Sequence, residues 1–189
     1  MKFLRVLSLS LILIPFSLSA QLVKGNWIGS INGNYSTTHN NDIWGVVLSP
    51  QLLETVAPNF AVGLLVDYGF LKSKFSTGNG YIENGYVSHM VKAGPSARKY
   101  FGKGSLMPFL GLTTGLQFSK VHELDSGSSD SDISEYNFFA MPSAGLYYWL
   151  TGSVAISIGA AYTFRIGDTS EFDGIQIGLN FLIPRPVKP

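Results

Sequence analysis

Ser153–Arg165, SVAISIGAAYTFR, followed eight residues later by Gly174–Ile183, GIQIGLNFLI, decides the fold. In the first segment Val154, Ile156, Ile158, Ala160, Tyr162 and Phe164 alternate with Ser153, Ala155, Ser157, Gly159, Ala161, Thr163 and Arg165. In the second, Ile175, Ile177, Leu179, Phe181 and Ile183 alternate with Gly174, Gln176, Gly178, Asn180 and Leu182. A period of two belongs to strands with unlike faces. A soluble sandwich puts its large residues inward and charges the other face. Here the second face is small, polar and nearly uncharged. That pattern suits a narrow barrel with lipid outside and packed small polar groups inside.

Working outward, similar alternation recurs along the chain. Strands are expected at Asn26–Tyr35, Ile43–Leu52, Phe60–Phe70, Gly85–Lys99, Leu106–Lys120 and Glu135–Leu150, ahead of the two just quoted. Pro50 reads as the approach of a strand end, since proline cannot donate to a ladder. Pro95 predicts a bulge or frayed start in the fourth strand, and Pro142 breaks the pattern of the sixth. Glu54–Asn59, Lys72–Gly80 and Val121–Ser134 read as connections. Connections after strands one, three, five and seven are long or polar, and those after two, four and six are shorter. Membrane barrels have an even strand number, long outer loops and short periplasmic turns. The fold class expected is therefore all-β, an eight-stranded antiparallel up-and-down transmembrane β-barrel.

Composition agrees. Charged residues make up 13% of the 189 residues, about half the usual share for a soluble domain. The 21 glycines, 13 phenylalanines and 9 tyrosines fit a membrane barrel or a glycine-rich extracellular sandwich. A formal net charge of +1 gives no sign of a nucleic-acid partner. The absence of cysteine excludes disulfides, thiolate chemistry and a cysteine lipid anchor.

Residues 1–20 read as a signal peptide, with Lys2 and Arg5 at the start, an apolar centre over Val6–Phe16 and small residues up to Ala20. A spanning helix needs roughly 20 apolar residues; this run is shorter and contains Pro15. The expected organisation is a signal peptide at 1–20, a barrel domain at 21–183 and a short C-terminal tail at 184–189. A membrane location would then require a closed barrel, because open strand edges cannot sit in lipid.

Several short motifs carry a resemblance: Lys24-Gly25-Asn26-Trp27, Ser49-Pro50-Gln51, Ala57-Pro58-Asn59-Phe60-Ala61-Val62-Gly63, Leu106-Met107-Pro108-Phe109, Pro142-Ser143-Ala144-Gly145 and Tyr148-Trp149-Leu150-Thr151. With these, Lys24–Phe181 resembles the outer-membrane β-barrel domain common in Bacteroidota, related in style to the small OmpA- and OmpX-like barrels. The resemblance implies the cell outer membrane as location, and membrane lipid and the outer-membrane assembly machinery as partners. Phe181 stands near the place of the terminal aromatic residue such barrels present to that machinery, with eight residues after it.

Two groups of residues are candidate sites. Trp27, Tyr35, Trp44, Tyr81, Tyr100, Tyr147, Tyr148 and Trp149 lie near strand ends and are expected to form an interface aromatic belt. Asp67 lies on the small face of the third strand and is expected in the lumen. A carboxylate there needs a cation or hydrogen bonds, and Lys92, Arg98 and Arg165 are the candidate cations.

No catalytic residue, metal site or cofactor is expected. Ser88, His89 and Glu83 or Glu123 could be imagined as a lipid-hydrolase triad, but adjacent strand residues point to opposite faces. The acidic run around Asp125–Asp132 lacks the spacing of a calcium loop. The expectation is a non-enzymatic barrel with a structural or surface-interaction role. The rivals are a small-solute channel, a soluble periplasmic ligand-binding barrel and a lipid-modifying barrel enzyme.

Overall fold

The computed structural model describes residues 22–37, 43–76, 83–124, 132–166 and 171–185. The expected signal peptide, Tyr81 and most of the C-terminal tail lie outside the described residues. Eight strands run in chain order: β1 (Trp27–Thr37), β2 (Ile43–Ala57), β3 (Phe60–Ser76), β4 (Glu83–Tyr100), β5 (Leu106–Leu124), β6 (Asp132–Trp149), β7 (Val154–Arg165) and β8 (Glu171–Ile183). Each pairs antiparallel with its neighbours, and β8 returns to β1, from Trp27 opposite Ile183 to Gly33 opposite Ile177. The result is a closed, all-β, up-and-down barrel with no free sheet edge.

Several strands run beyond the sequence expectation. β2 continues through Pro50 to Ala57, and Pro50 sits in mid-strand opposite Ile31. Its side chain faces out and Asn59, at φ 58°, makes the turn instead. β3 continues through Lys72 to Ser76, and the facing β4 begins at Glu83. β5 and β6 likewise keep pairing out to His122 opposite Asp132. These extensions mix charged and polar residues such as Glu54, Lys72, Lys74, His122 and Glu123 with apolar ones, so the hydrophobic alternation fades while the hydrogen-bond ladder goes on.

The barrel has two unlike ends. The connections at 58–59, 101–105 and 150–153 share one end with residues 22–26 and 184–185, and this is the turn end. The other four connections leave from the opposite, loop end. Facing outward between the two ends are large apolar side chains from every strand, among them Ile31, Leu48, Leu64, Leu110, Phe138, Ile158 and Ile177. Leu64 is 64% and Ile177 66% exposed to the surroundings. An apolar surface of this extent is what a barrel presents to lipid.

Closing only eight strands demands sharp curvature. Gly94 and Gly115 face each other across β4 and β5 on the inner side. A Cβ on Gly94 would lie 1.9 Å from the Thr114 carbonyl oxygen, and one on Gly115 would lie 2.1 Å from that of Ala93. The β4–β5 register is the same on either side of this pair, with Ala93 opposite Leu116 and Ser96 opposite Thr113. The bulge or frayed start expected near Pro95 is therefore not found: β4 runs unbroken from Glu83, and its pairing with β3 passes through Pro95 opposite Leu64.

Candidate functional site

The lumen is the place where function-bearing polar residues converge, and it is built in three layers. At the turn end, Ile28, Leu53, Tyr100, Met107, Phe109, Tyr147 and Trp149 form a buried apolar cluster, joined by Leu22 from the segment before β1. Phe109 and Tyr147 meet edge to face at 5.3 Å, as do Tyr100 and Tyr147. Both are favourable aromatic geometries. Arg98 enters this cluster from β4, its guanidinium carbon 4.4 Å from the Phe109 ring centroid. Its Nη1 donates to the Tyr147 hydroxyl at 2.6 Å. The charge is thereby held by a ring face and a hydroxyl.

The middle layer is uncharged and hydrogen-bonded. Gln51 Nε2 donates to Ser96 Oγ at 2.8 Å, and Thr113 Oγ1 donates to the same oxygen at 2.9 Å. Asn180 Nδ2 donates to Ser157 Oγ at 2.9 Å. Between this layer and the Arg98 cluster the cavity lined by Asn32, Arg98, Phe109, Thr113 and Ser157 measures about 20 Å³, room for about one water molecule.

The third layer carries the charges. Lys92 is fully buried and stands directly across from Asp67 in the β3–β4 register. Its Nζ donates to Asp173 Oδ1 at 2.5 Å and to Thr163 Oγ1 at 2.8 Å. The Thr163 hydroxyl donates in turn to Asp173 Oδ2 at 2.6 Å. Asp67 is also buried, and its Oδ1 accepts no hydrogen bond among the described residues. Above this layer, toward the loop end, the lumen widens into a cavity of about 580 Å³ bordered by Asn34, Ser88, Met90, Gln117, Arg165 and Asp173.

The sequence-predicted lumen residues separate. Asp67 and Lys92 come together, as expected from their faces. Arg98 does not join them; it lies six residues further along β4 among aromatic rings. Arg165 also faces inward, where its Nε donates to Gln117 Oε1 at 3.3 Å. Asp173, just before the Gly174–Ile183 segment, is the missed member. A register shift opposite Ala161 and Tyr162 bulges β8 there, and Gly174 takes φ 90°. A bulge re-aims side chains, and this one turns Asp173 toward Lys92. The Asn34 side-chain amide donates to the Asp173 carbonyl and pins the bulge from β1. The Asp-Gly pair at 173–174 was the legible signal.

The aromatic belt requires a correction. Tyr100, Tyr147 and Trp149 point into the barrel, at 1%, 0% and 2% exposure, and belong to the turn-end cluster. Trp27 and Tyr35 face outward. Trp44 and Tyr148 are half-buried and share the outward face, through Lys72 and Leu106 respectively. Trp27 and Tyr148 mark the turn end, and Tyr35 and Trp44 the loop end. Ser88 and His89 do point to opposite sides: Ser88 borders the cavity, and His89 Nδ1 shares a 2.9 Å hydrogen bond with the outward Tyr68 hydroxyl. Among the described residues no three His, Cys, Asp or Glu side chains are grouped to hold a metal ion.

No protein-family model and no curated protein matches the chain. Solved structures do share its architecture. Neisserial surface protein A is 18% identical, with 85% of this chain and 97% of that one covered and a TM-score of 0.48. Ail of Yersinia pestis in a phospholipid nanodisc is 15% identical, with 85% and 100% covered and a TM-score of 0.44. The N-terminal barrel of Pseudomonas aeruginosa OprF is 15% identical, with 85% and 98% covered and a TM-score of 0.43. These are distant likenesses of fold, so the function is read from the chain's own geometry.

Proposed function

We propose that the protein is a small outer-membrane barrel, in the style of the OmpA- and OmpX-like domains, with a structural or surface-interaction role and neither enzymatic nor pore activity. The outward apolar surface supports the membrane location, and the expected signal peptide supports export. Lipid and the assembly machinery are then its obligate partners. The long connections at the loop end face the cell exterior in this reading, and the turn end faces the periplasm.

The observation that carries the non-conducting part is the filled lumen. A hydrated ion moving from the loop-end cavity would meet the Lys92–Asp173–Thr163 cluster, then the water-sized gap at Arg98, then the edge-to-face rings of Tyr100, Phe109 and Tyr147. Eight strands leave an interior just wide enough for side chains, and these are large ones.

The test has two parts on one preparation. The protein should fractionate with the outer membrane and resist carbonate and high salt. Reconstituted into planar bilayers, it should show no stable conductance. Recovery in the soluble periplasmic fraction would point to the ligand-binding barrel, and reproducible open-channel steps altered by Lys92→Met would point to the channel.

A further inference from the structure

The outer surface is not uniform around the barrel. At the loop end, the outward basic side chains that the structure describes, Lys72, His89, Lys120 and His122, lie on β3, β4 and β5. His89 is directly opposite Lys120 in the register, which puts their Cβ atoms about 5 Å apart. Lys72, opposite Val87, is its diagonal neighbour on the other side. Phe70 and Trp44 wall the group: the Phe70 ring lies 5.3 Å from that of His89 and 5.2 Å from that of Trp44. The Tyr68 hydroxyl holds His89 Nδ1, which leaves the other edge of the ring, with Nε2, directed elsewhere.

Further along the same face toward the turn end lies a groove of about 510 Å³, lined by Val62, Leu64, Pro95, Ala97, Leu112 and Thr114. Its floor is β4, where Pro95 and Ala97 are short, and its walls are the leucines of β3 and β5. Six residues separate His89 from Pro95, about 20 Å along a strand. With the usual tilt of roughly 40° this is about 15 Å of depth, half of a hydrocarbon core of about 30 Å. The groove therefore sits near mid-membrane, displaced from the basic group along the tilted line of β4, at the distance reached by the end of one acyl chain that follows that strand.

We propose that this β3–β5 face seats an acidic lipid of the outer leaflet, its phosphorylated headgroup on Lys72, His89 and Lys120 and one acyl chain in the Pro95–Ala97 groove. The proposal rests on the outer-membrane reading above. Bulk lipid tails are as apolar as the groove, so moving a chain into it gains only packing. Selection among lipids falls to the headgroup, where cationic side chains discriminate by charge.

Native mass spectrometry of the mature barrel, released from vesicles of equal phosphatidylglycerol and phosphatidylcholine, tests this. The wild type should retain phosphatidylglycerol over phosphatidylcholine by about thirtyfold, the scale expected for two lysines at an anionic surface. K72Q/K120Q should bring the ratio near one. Ala97→Phe, which fills the groove, should reduce retention of both lipids. Lys99→Gln, outward on β4 at the turn end, should leave the ratio unchanged. Should the double variant fail to fold, His89→Gln should still lower the ratio. A wild-type ratio near one, or an unchanged ratio in the folded headgroup variants, would overturn the lipid site alone. Failure of the wild type to float with the vesicles would overturn the membrane reading itself.

Discussion

The turn-end half and the loop-end half of the lumen are closed by different physics. The turn-end half is packed like the core of a soluble domain: Trp149, Tyr147, Tyr100 and Met107 are all fully buried, and the one cation there, Arg98, is held by ring faces and a hydroxyl. The loop-end half is held by an ion pair, with Lys92 between Asp173, Thr163 and the facing Asp67, and a wide cavity above. Apolar packing closes space without geometric demands. A buried charge closes it only while each partner is in place, because removing one leaves the others uncompensated. The two halves should therefore answer substitution differently.

The largest effect should come from Lys92→Met. It leaves Asp67 and Asp173 without their cation and should cost about 3–5 kcal/mol of stability, read from urea unfolding in lipid vesicles. A loss under about 1 kcal/mol would mean that the charged layer carries little of the stability. The two acids separate next. Asp173→Asn should cost about 1.5–3 kcal/mol, the range for hydrogen bonds to a charged group, because Asp173 takes both the Lys92 and Thr163 bonds. Asp67→Asn should cost less, since Oδ1 of Asp67 accepts no bond among the described residues. Equal losses would shift the pair onto Asp67.

Smaller again is Tyr147→Phe in the other half. The ring stays in its aromatic cluster, and only the bond from Arg98 is lost. The expected cost is about 1.5 kcal/mol in the same unfolding assay, with no gain of conductance. The smallest effect belongs to the outer face: Ile177→Ala, where lipid tails refill the space, should stay within about 0.5 kcal/mol. A loss comparable to that of Lys92→Met would place Ile177 against protein instead of lipid.

Much of this was legible from alternation. The Val154–Arg165 and Ile175–Ile183 patterns assign inside and outside correctly, as does the small face carrying Asp67. What escaped the sequence did so for stated reasons. The strand extensions through Lys72–Ser76 and Val121–Leu124 interrupt the alternation with Lys72, Lys74, His122 and Glu123, because a ladder that continues beyond the apolar band no longer needs a regular apolar face. Asp173 depends on a bulge, which breaks the period that made everything else readable. Tyr100, Tyr147 and Trp149 were placed by closeness to strand ends, although parity already told them apart: Tyr147 and Trp149 share the face of Gly145, and Tyr148 that of Leu146. Pro142 obscured that parity in sequence, yet β6 passes through it in register with Leu112. The pairing of Lys92 with Asp173 joins residues 81 positions apart, a contact that only closure of the barrel creates.

The three tryptophans allow the most direct test of that inside–outside division. Variants retaining a single tryptophan, reconstituted in vesicles of brominated lipid, report whether each indole touches the acyl chains. Trp27 and Trp44 should be strongly quenched, and Trp149, sealed in the turn-end cluster, should keep its emission. Quenching of Trp149 equal to that of Trp27 would contradict the packed lumen and return all three residues to the lipid interface.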